Sequence, residues 1–193
     1  MAYSNRTIGK ENLIKRLIDL DKEFRLILLE NDIPLDTKVE IIIAGSSSLI
    51  LNSEIEVFHT MDIDTFLSAN RLITEELLNK YDINTKISTY TESIPYNFED
   101  RIIKLDLGTK NIDYYIISLE DAVICKIKAS RLKDQEHLKN EYILGKIDWV
   151  LLKQCALEME LSSLNEYGYK EFAHCYNNFV KENNHEEAII ENI

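Results

Sequence analysis

Residues 39–52 read VEIIIAGSSSLILN, and no other stretch of this 193-residue chain restricts its fold as tightly. Val39–Ile43 is a mostly β-branched run, too short for a helix and closed by a turn residue, which predicts a buried strand. It runs into Gly45, one of only five glycines in a chain with two prolines. Glycine lets the backbone turn sharply and approach a neighbour closely. SSSLILN then predicts a helix opened by a serine N-cap. A strand, a glycine turn and a helix start aim backbone N–H groups past the strand end, which suits an anion.

Beyond this unit the chain reads MDIDTFL, a second predicted strand bearing Asp62 and Asp64. In extended backbone, residues two apart share a face, so these carboxylates are neighbours. Two such charges repel unless water screens them or a cation sits between them. Magnesium, an oxygen-seeking ion held by one or two carboxylates plus phosphate oxygens, answers that need. The plainer alternative is a half-exposed strand of alternating polar and apolar residues.

Leu13, Leu17, Leu20, Phe24 and Ile27 recur at helical spacing and predict an amphipathic helix over 10–31. A helix over 71–80 and short strands in NTKIST, DRIIKLDL and NIDYYIIS follow, the last two joined by the turn GTKN. From Ser118 the pattern is helical, with helices over 119–131, 134–144, 148–160 and 166–181 and a frayed tail from Glu182. The fold class is therefore α/β (α+β): a small mixed sheet flanked by helices, then a C-terminal helical part. Residues 1–145, with helix 10–31 packed on them, are expected to form the first domain, and 146–193 a helical extension.

Acidic residues outnumber basic ones 34 to 22, a net charge of −12, and such a field disfavours a general nucleic-acid binder. The exception runs from Lys126 to Lys139, where Lys126, Lys128, Arg131, Lys133 and Lys139 face only Asp134 and Glu136. That island suits a phosphate-bearing small molecule, or is a solvated helix face. No apolar run reaches membrane-spanning length, and the first residues carry no apolar signal segment, so the cytoplasm is expected and no membrane partner. Cys125, Cys155 and Cys175 have neither zinc spacing nor a nearby catalytic grouping, so reduced, non-nucleophilic thiols are expected. His59 is expected in a loop. Trp149, Tyr142, Tyr167, Tyr169 and Tyr176 are expected to pack in a core or an interface.

On a helix starting at Leu119, the residues Leu119, Ala122, Val123, Ile127 and Ser130 share an arc, and Lys126 falls in its middle. A lysine there must snorkel to the edge or meet an anion, either a carboxylate or a phosphate.

With both stretches in view, the chain resembles the nucleotidyltransferase superfamily of DNA-polymerase-β-like fold. Gly45-Ser46, a spacer over 47–61 and Asp62-Ile63-Asp64 match its Gly-Ser and acid-apolar-acid signature. Ser118-Leu119-Glu120-Asp121, Lys126-Ile127-Lys128-Ala129-Ser130-Arg131 and Lys133-Asp134 are similar to a branch catalogued as DUF6036 and AbiEii (DUF1814)-like proteins. The resemblance covers about Val39 to Leu138. It departs where His137 replaces the last acid of the K-D-x-x-D pattern.

The resemblance implies a Mg²⁺-dependent enzyme moving an NMP from an NTP to an acceptor, RNA or protein. It implies Gly45 and Ser46 at the phosphates and Asp62 and Asp64 on the metal, with a third carboxylate at Asp106 or Asp113. It implies that Lys126 and Asp134 complete the catalytic set, the lysine towards the triphosphate and the aspartate as its partner or as a base, and that Arg131 and Lys133 support phosphate or acceptor. Related branches include toxins of toxin–antitoxin and defence systems, which extends the expectation to a toxin role and an antitoxin partner. The C-terminal helices are candidates for that contact or for a homodimer. The alternative is a non-catalytic nucleotide- or protein-binding module that keeps the fold.

Overall fold

The computed structural model describes residues 8–52, 60–67, 72–86 and 91–191. The loop expectation for His59 therefore lies outside the described residues, as do Arg71 and the last residues of NTKIST. Contacts divide the chain into two compact units: residues 1–89 with 102–117, and residues 90–101 with 118–193. The division thus falls after Ile117, not at the 145/146 boundary read from the sequence. Residues 118–145 share their packing with the later helices.

The first unit is a five-stranded sheet of order β3-β2-β1-β5-β4. Its strands are β1 (Val39–Ile43), β2 (Ile63–Leu67), β3 (Ile83–Asn84), β4 (Ile103–Lys104) and β5 (Ile112–Ile116). Central β1 pairs antiparallel with β2 and parallel with β5, so the sheet is mixed. Strand alternation puts Ile41, Ile43, Ile63, Thr65, Ile112, Tyr114 and Ile116 on one buried face. Helix α1 (Lys10–Glu30) covers that face, and Tyr114 Oη donates to the Leu17 carbonyl at 2.8 Å. Ile27 of the predicted stripe is only half-buried, whereas Leu13, Leu17, Leu20, Phe24 and Leu28 are fully buried. Each such side chain contributes roughly 1.5–3 kcal/mol relative to exposure.

Two charged residues of α1 are buried with partners. Arg16 binds Asp82, and Asp21 accepts the backbone N–H groups of Lys110, Asn111 and Ile112 at 2.9, 2.7 and 2.7 Å. A buried charge is tolerated only when bonded in this way. Helices α2 (Gly45–Asn52) and α3 (Glu75–Lys80) complete the unit, the latter capped by Thr74. Two predicted strands differ from their expectation: among its described residues NTKIST contributes Asn84 to a strand, and DRIIKLDL contributes only Ile103–Lys104 after a 3-10 turn at Phe98–Arg101.

The second unit packs α4 (Leu119–Ala129), α5 (Leu132–Leu138), α6 (Glu141–Leu144), α7 (Trp149–Ser162) and α8 (Glu166–Glu182). The predicted helix over 134–144 is broken at Lys139–Asn140, where Asn140 accepts from the Tyr142 N–H and caps α6. Tyr169 and Tyr176 are buried as expected, whereas Tyr167 is exposed. Trp149 stacks on Phe179 and on His185, with ring centroids 5.8 and 3.9 Å apart. The tail is not frayed over its described length. Tyr176 Oη donates to the Ala188 carbonyl at 3.0 Å, and Asn177 bonds both backbone groups of Ile190, which bury Ala188 and Ile190. Among the described residues no helix is long and apolar enough to cross a membrane.

Candidate active site

β1 ends at Ile43, and the ladder continues through the Ala44 N–H donating to the Asp64 carbonyl at 2.8 Å. This puts the next residue, Gly45, against Asp64. Gly45 has φ +60°, and a Cβ added there would lie 2.5 Å from Asp64 Oδ2. The glycine is required twice, once by its left-handed backbone and once by the carboxylate occupying the space of a side chain. It begins α2, whose first-turn amides have no acceptor within the helix.

Asp62 lies in a bend just before β2, so only Asp64 sits in the strand. The carbonyl of Asp62 accepts from Ser47 Oγ at 3.1 Å and Thr60 Oγ1 at 2.9 Å, which fixes the bend. The carboxylates are drawn together from β3, whose Asn84 is in register with Asp64. Asn84 Nδ2 donates to Asp64 Oδ1 at 3.1 Å and to Asp62 Oδ2 at 3.4 Å. Its Oδ1 accepts from the Lys86 N–H at 3.0 Å, which sets the orientation of the amide. Nothing in the sequence singled out Asn84. Only its place in the short strand β3, opposite Asp64, gives it this part.

Register places Asp113 away from this pair. Asp64 is level with Ala44, whereas Asp113 pairs with Glu40, four residues away along the sheet, or roughly 13 Å. Asp113 meets Lys104 at 3.1 Å and Lys38 at 3.7 Å, and Asp106 accepts from the Gly108 N–H in an exposed turn. The residue level with Ala44, one past the end of β5, is Ile117. Among the described residues, no group of three or more His, Cys, Asp or Glu is arranged to hold a metal.

The other predicted residues belong to the second unit. Ser118 caps α4, its Oγ accepting from the Asp121 N–H at 3.0 Å and donating to Asp121 Oδ2 at 2.6 Å. Arg101 forks between Asp121 and Glu158 through four hydrogen bonds of 2.8–3.2 Å. Burial opposes the guanidinium charge, but both carboxylates outweigh it and raise its pKa. This network gives Ser118 and Asp121 of the SLED motif a structural task. Arg101, which sequence reasoning did not single out, enters this network from the 3-10 turn before β4.

Lys126 is buried on α4, and its Nζ donates to Asp134 Oδ1 at 2.8 Å, so its anion is a carboxylate. Ser130, at φ +50°, ends α4 in the left-handed region and turns the chain so that α5 brings Asp134 back over the lysine. Arg131 Nε donates to Asp134 Oδ2 at 2.6 Å from a largely exposed side chain, and Lys133 is exposed. Burial pulls the Lys126 pKa down, and the pairing with Asp134 only partly restores it. Burial would raise Asp134, but Arg131 and Lys126 outweigh it and lower its pKa. His137 is buried beside them and pushed down to about 4, first by burial and then by Lys126 and Lys133. It is neutral at pH 7. Lys126 also lines a cavity of about 460 Å³ with Ser130, Gln135, Lys139 and Phe179. Burial pushes the Cys125 and Cys155 thiols up, which excludes them as thiolate nucleophiles.

Within the first unit, then, Gly45, Asp62 and Asp64 meet, with Ser46 in the first turn of α2. Within the second, Lys126, Arg131 and Asp134 meet. A family model described as a nucleotidyltransferase of unknown function, DUF6036, matches residues 15–184, and the chain belongs to this family. No curated protein and no solved structure matches it.

Proposed function

We propose that this protein is a magnesium-dependent nucleotidyltransferase that moves an NMP group from an NTP to an acceptor, RNA or protein. The observation that carries this reading is the convergence of Asp62 and Asp64 on one atom, Asn84 Nδ2, beside a glycine whose missing Cβ gives Asp64 its room. That donor set suits Mg²⁺, an ion that takes one or two carboxylates and fills its shell with phosphate oxygens and water. When bound, magnesium supplies charge neutralisation at the phosphates. Asp62 and Asp64 hold the ion, the Gly45-Ser46 turn receives phosphate at the start of α2, and Asn84 keeps the carboxylates in place. In the transfer an acceptor oxygen attacks the α-phosphorus, the α–β anhydride bond breaks, pyrophosphate leaves, and the acceptor proton passes to a base.

Lys126 and Asp134 already neutralise one another, so their first task is to hold α4 against α5. Arg131 and Lys133, whose side chains reach solvent, are the better phosphate or acceptor contacts. Resemblance to AbiEii-like toxins extends the proposal to a toxin role with an antitoxin partner. The self-satisfied ion cluster of the second unit favours a second reading, a non-catalytic module that retains the fold.

Thermal melting with Mg²⁺ and each NTP tests the proposal. Nucleotide should raise Tm only when metal is present, by the linkage between binding and stability, and Asp62→Asn should remove the effect. No metal-dependent shift with any NTP overturns the enzyme reading. A shift without label transfer from radioactive NTPs to any component of a cell extract supports the non-catalytic module.

A further inference from the structure

Helix α7 is apolar on two opposite sides. Leu152, Cys155, Ala156 and Met159 are buried in the second unit. On the opposite meridian, Val150, Leu157 and Leu161 fall within about 40° of one another at 100° per residue. They are 79%, 46% and 67% exposed, and Leu164, just past the helix end, is 82% exposed. An apolar stripe interrupted only at Gln154, on a protein of net charge −12, marks a contact site. Its flank carries opposite charges in order, Lys153 and then Glu160 two turns later, both on the same side of the stripe.

That pattern complements itself. We infer that the protein forms a homodimer in which α7 packs antiparallel against α7 of a second copy, about a two-fold axis at Leu157. The axis sets Leu157 against Leu157, Val150 against Leu164 of the second copy, and Lys153 against Glu160 of the second copy, twice over. Leu161 then covers the Gln154 side chain and the aliphatic stem of Lys153. Lys153 Nζ donates to the Glu187 carbonyl at 3.1 Å and keeps further N–H groups for the contact. A parallel pairing would instead set each charge level with its like, which is unfavourable. Isologous contacts of this kind need one self-complementary patch, and the stripe is one. The helix is about 21 Å long, so the contact is small and a dissociation constant of micromolar order is expected.

Sedimentation velocity on the full chain from 1 to 200 µM is the test. The expected result is a concentration-dependent shift from 22.5 kDa towards twice that mass. Leu157→Glu should hold the protein at the lower mass with an unchanged circular dichroism spectrum. Lys153→Glu should weaken association on the order of tenfold, and adding Glu160→Lys should restore it. In a Cys175→Ser background, Leu157→Cys should cross-link on mild oxidation while Val150→Cys does not. A monomer throughout the concentration range overturns the dimer, and equal cross-linking at positions 150 and 157 overturns the antiparallel register.

Discussion

Two clusters of charge sit in the two units, and their donors differ. Around Asp134 the donors are cations, Lys126 and Arg131, and the cluster closes on itself. Around Asp62 and Asp64 the shared donor is Asn84, an amide without charge, and Gly45 leaves Asp64 the space of a side chain. A neutralised buried cluster is explained by holding helices together. Two carboxylates gathered on one amide beside a glycine are the donor set that the proposed function gives to Mg²⁺. The two motifs of one family pattern thus have different physical justifications, and perturbing them should have different consequences.

The largest contrast is expected at Gly45. Gly45→Ala puts a methyl group 2.5 Å from Asp64 Oδ2 at φ +60°, so Asp64 must move. Metal-dependent nucleotide binding should be lost, read by calorimetry. The fold should lose only about 1–2 kcal/mol of strain, read by urea denaturation. Asp134→Ala should behave in the opposite sense. It leaves Lys126 buried without its carboxylate and should cost about 3–5 kcal/mol. The pair of changes Lys126→Met and Asp134→Leu should recover most of that stability; failure to recover it would mean that the pair does more than hold α4 and α5.

Next in size is acid sensitivity in the second unit. His137 is held neutral with a folded pKa of about 4, below its unfolded value of about 6.5. Protonation therefore favours the unfolded chain. Stability should be full above pH 6.5 and fall by at most about 3 kcal/mol as pH drops towards 4. His137→Gln should flatten that slope in urea titrations between pH 7 and 4. Smallest is Asn84→Ala, which frees the acids from their shared donor. It should change stability by about 1 kcal/mol while weakening Mg²⁺ binding roughly 10–100-fold, measured by metal titration.

The parts of the fold that were legible in the sequence are those where a single element's own periodicity decides. The face of α1, strand β1 closed by Gly45 and the end of α8 belong here. The asymmetry of Lys126 was legible too, because a charge on an apolar arc must be answered, although whether by a carboxylate or a phosphate was not. Elements defined only by their partners were not legible. β3 is two residues long and exists through its register with β2. The tail after Glu182 reads as polar, yet it is tied by the Tyr176 hydroxyl and the Asn177 amide, whose destinations only packing reveals. The choice between Asp106 and Asp113 was not legible either, because the level of Asp113, opposite Glu40, is set by strand pairing.

Asp21 reaches three backbone amides some 90 positions ahead of it, and β1 takes as its parallel neighbour the last strand of its unit. During synthesis, then, a nascent chain carries Gly45, Asp62 and Asp64 long before it can hold them. Until Ile112–Ile116 leaves the ribosome, β1 lacks one neighbour and α1 lacks the backbone that Asp21 grips. The acid pair is therefore held in place only after β5 has emerged. Ribosome-bound chains arrested before and after Ile112–Ile116 has emerged from the exit tunnel should differ in protease resistance across α1 accordingly.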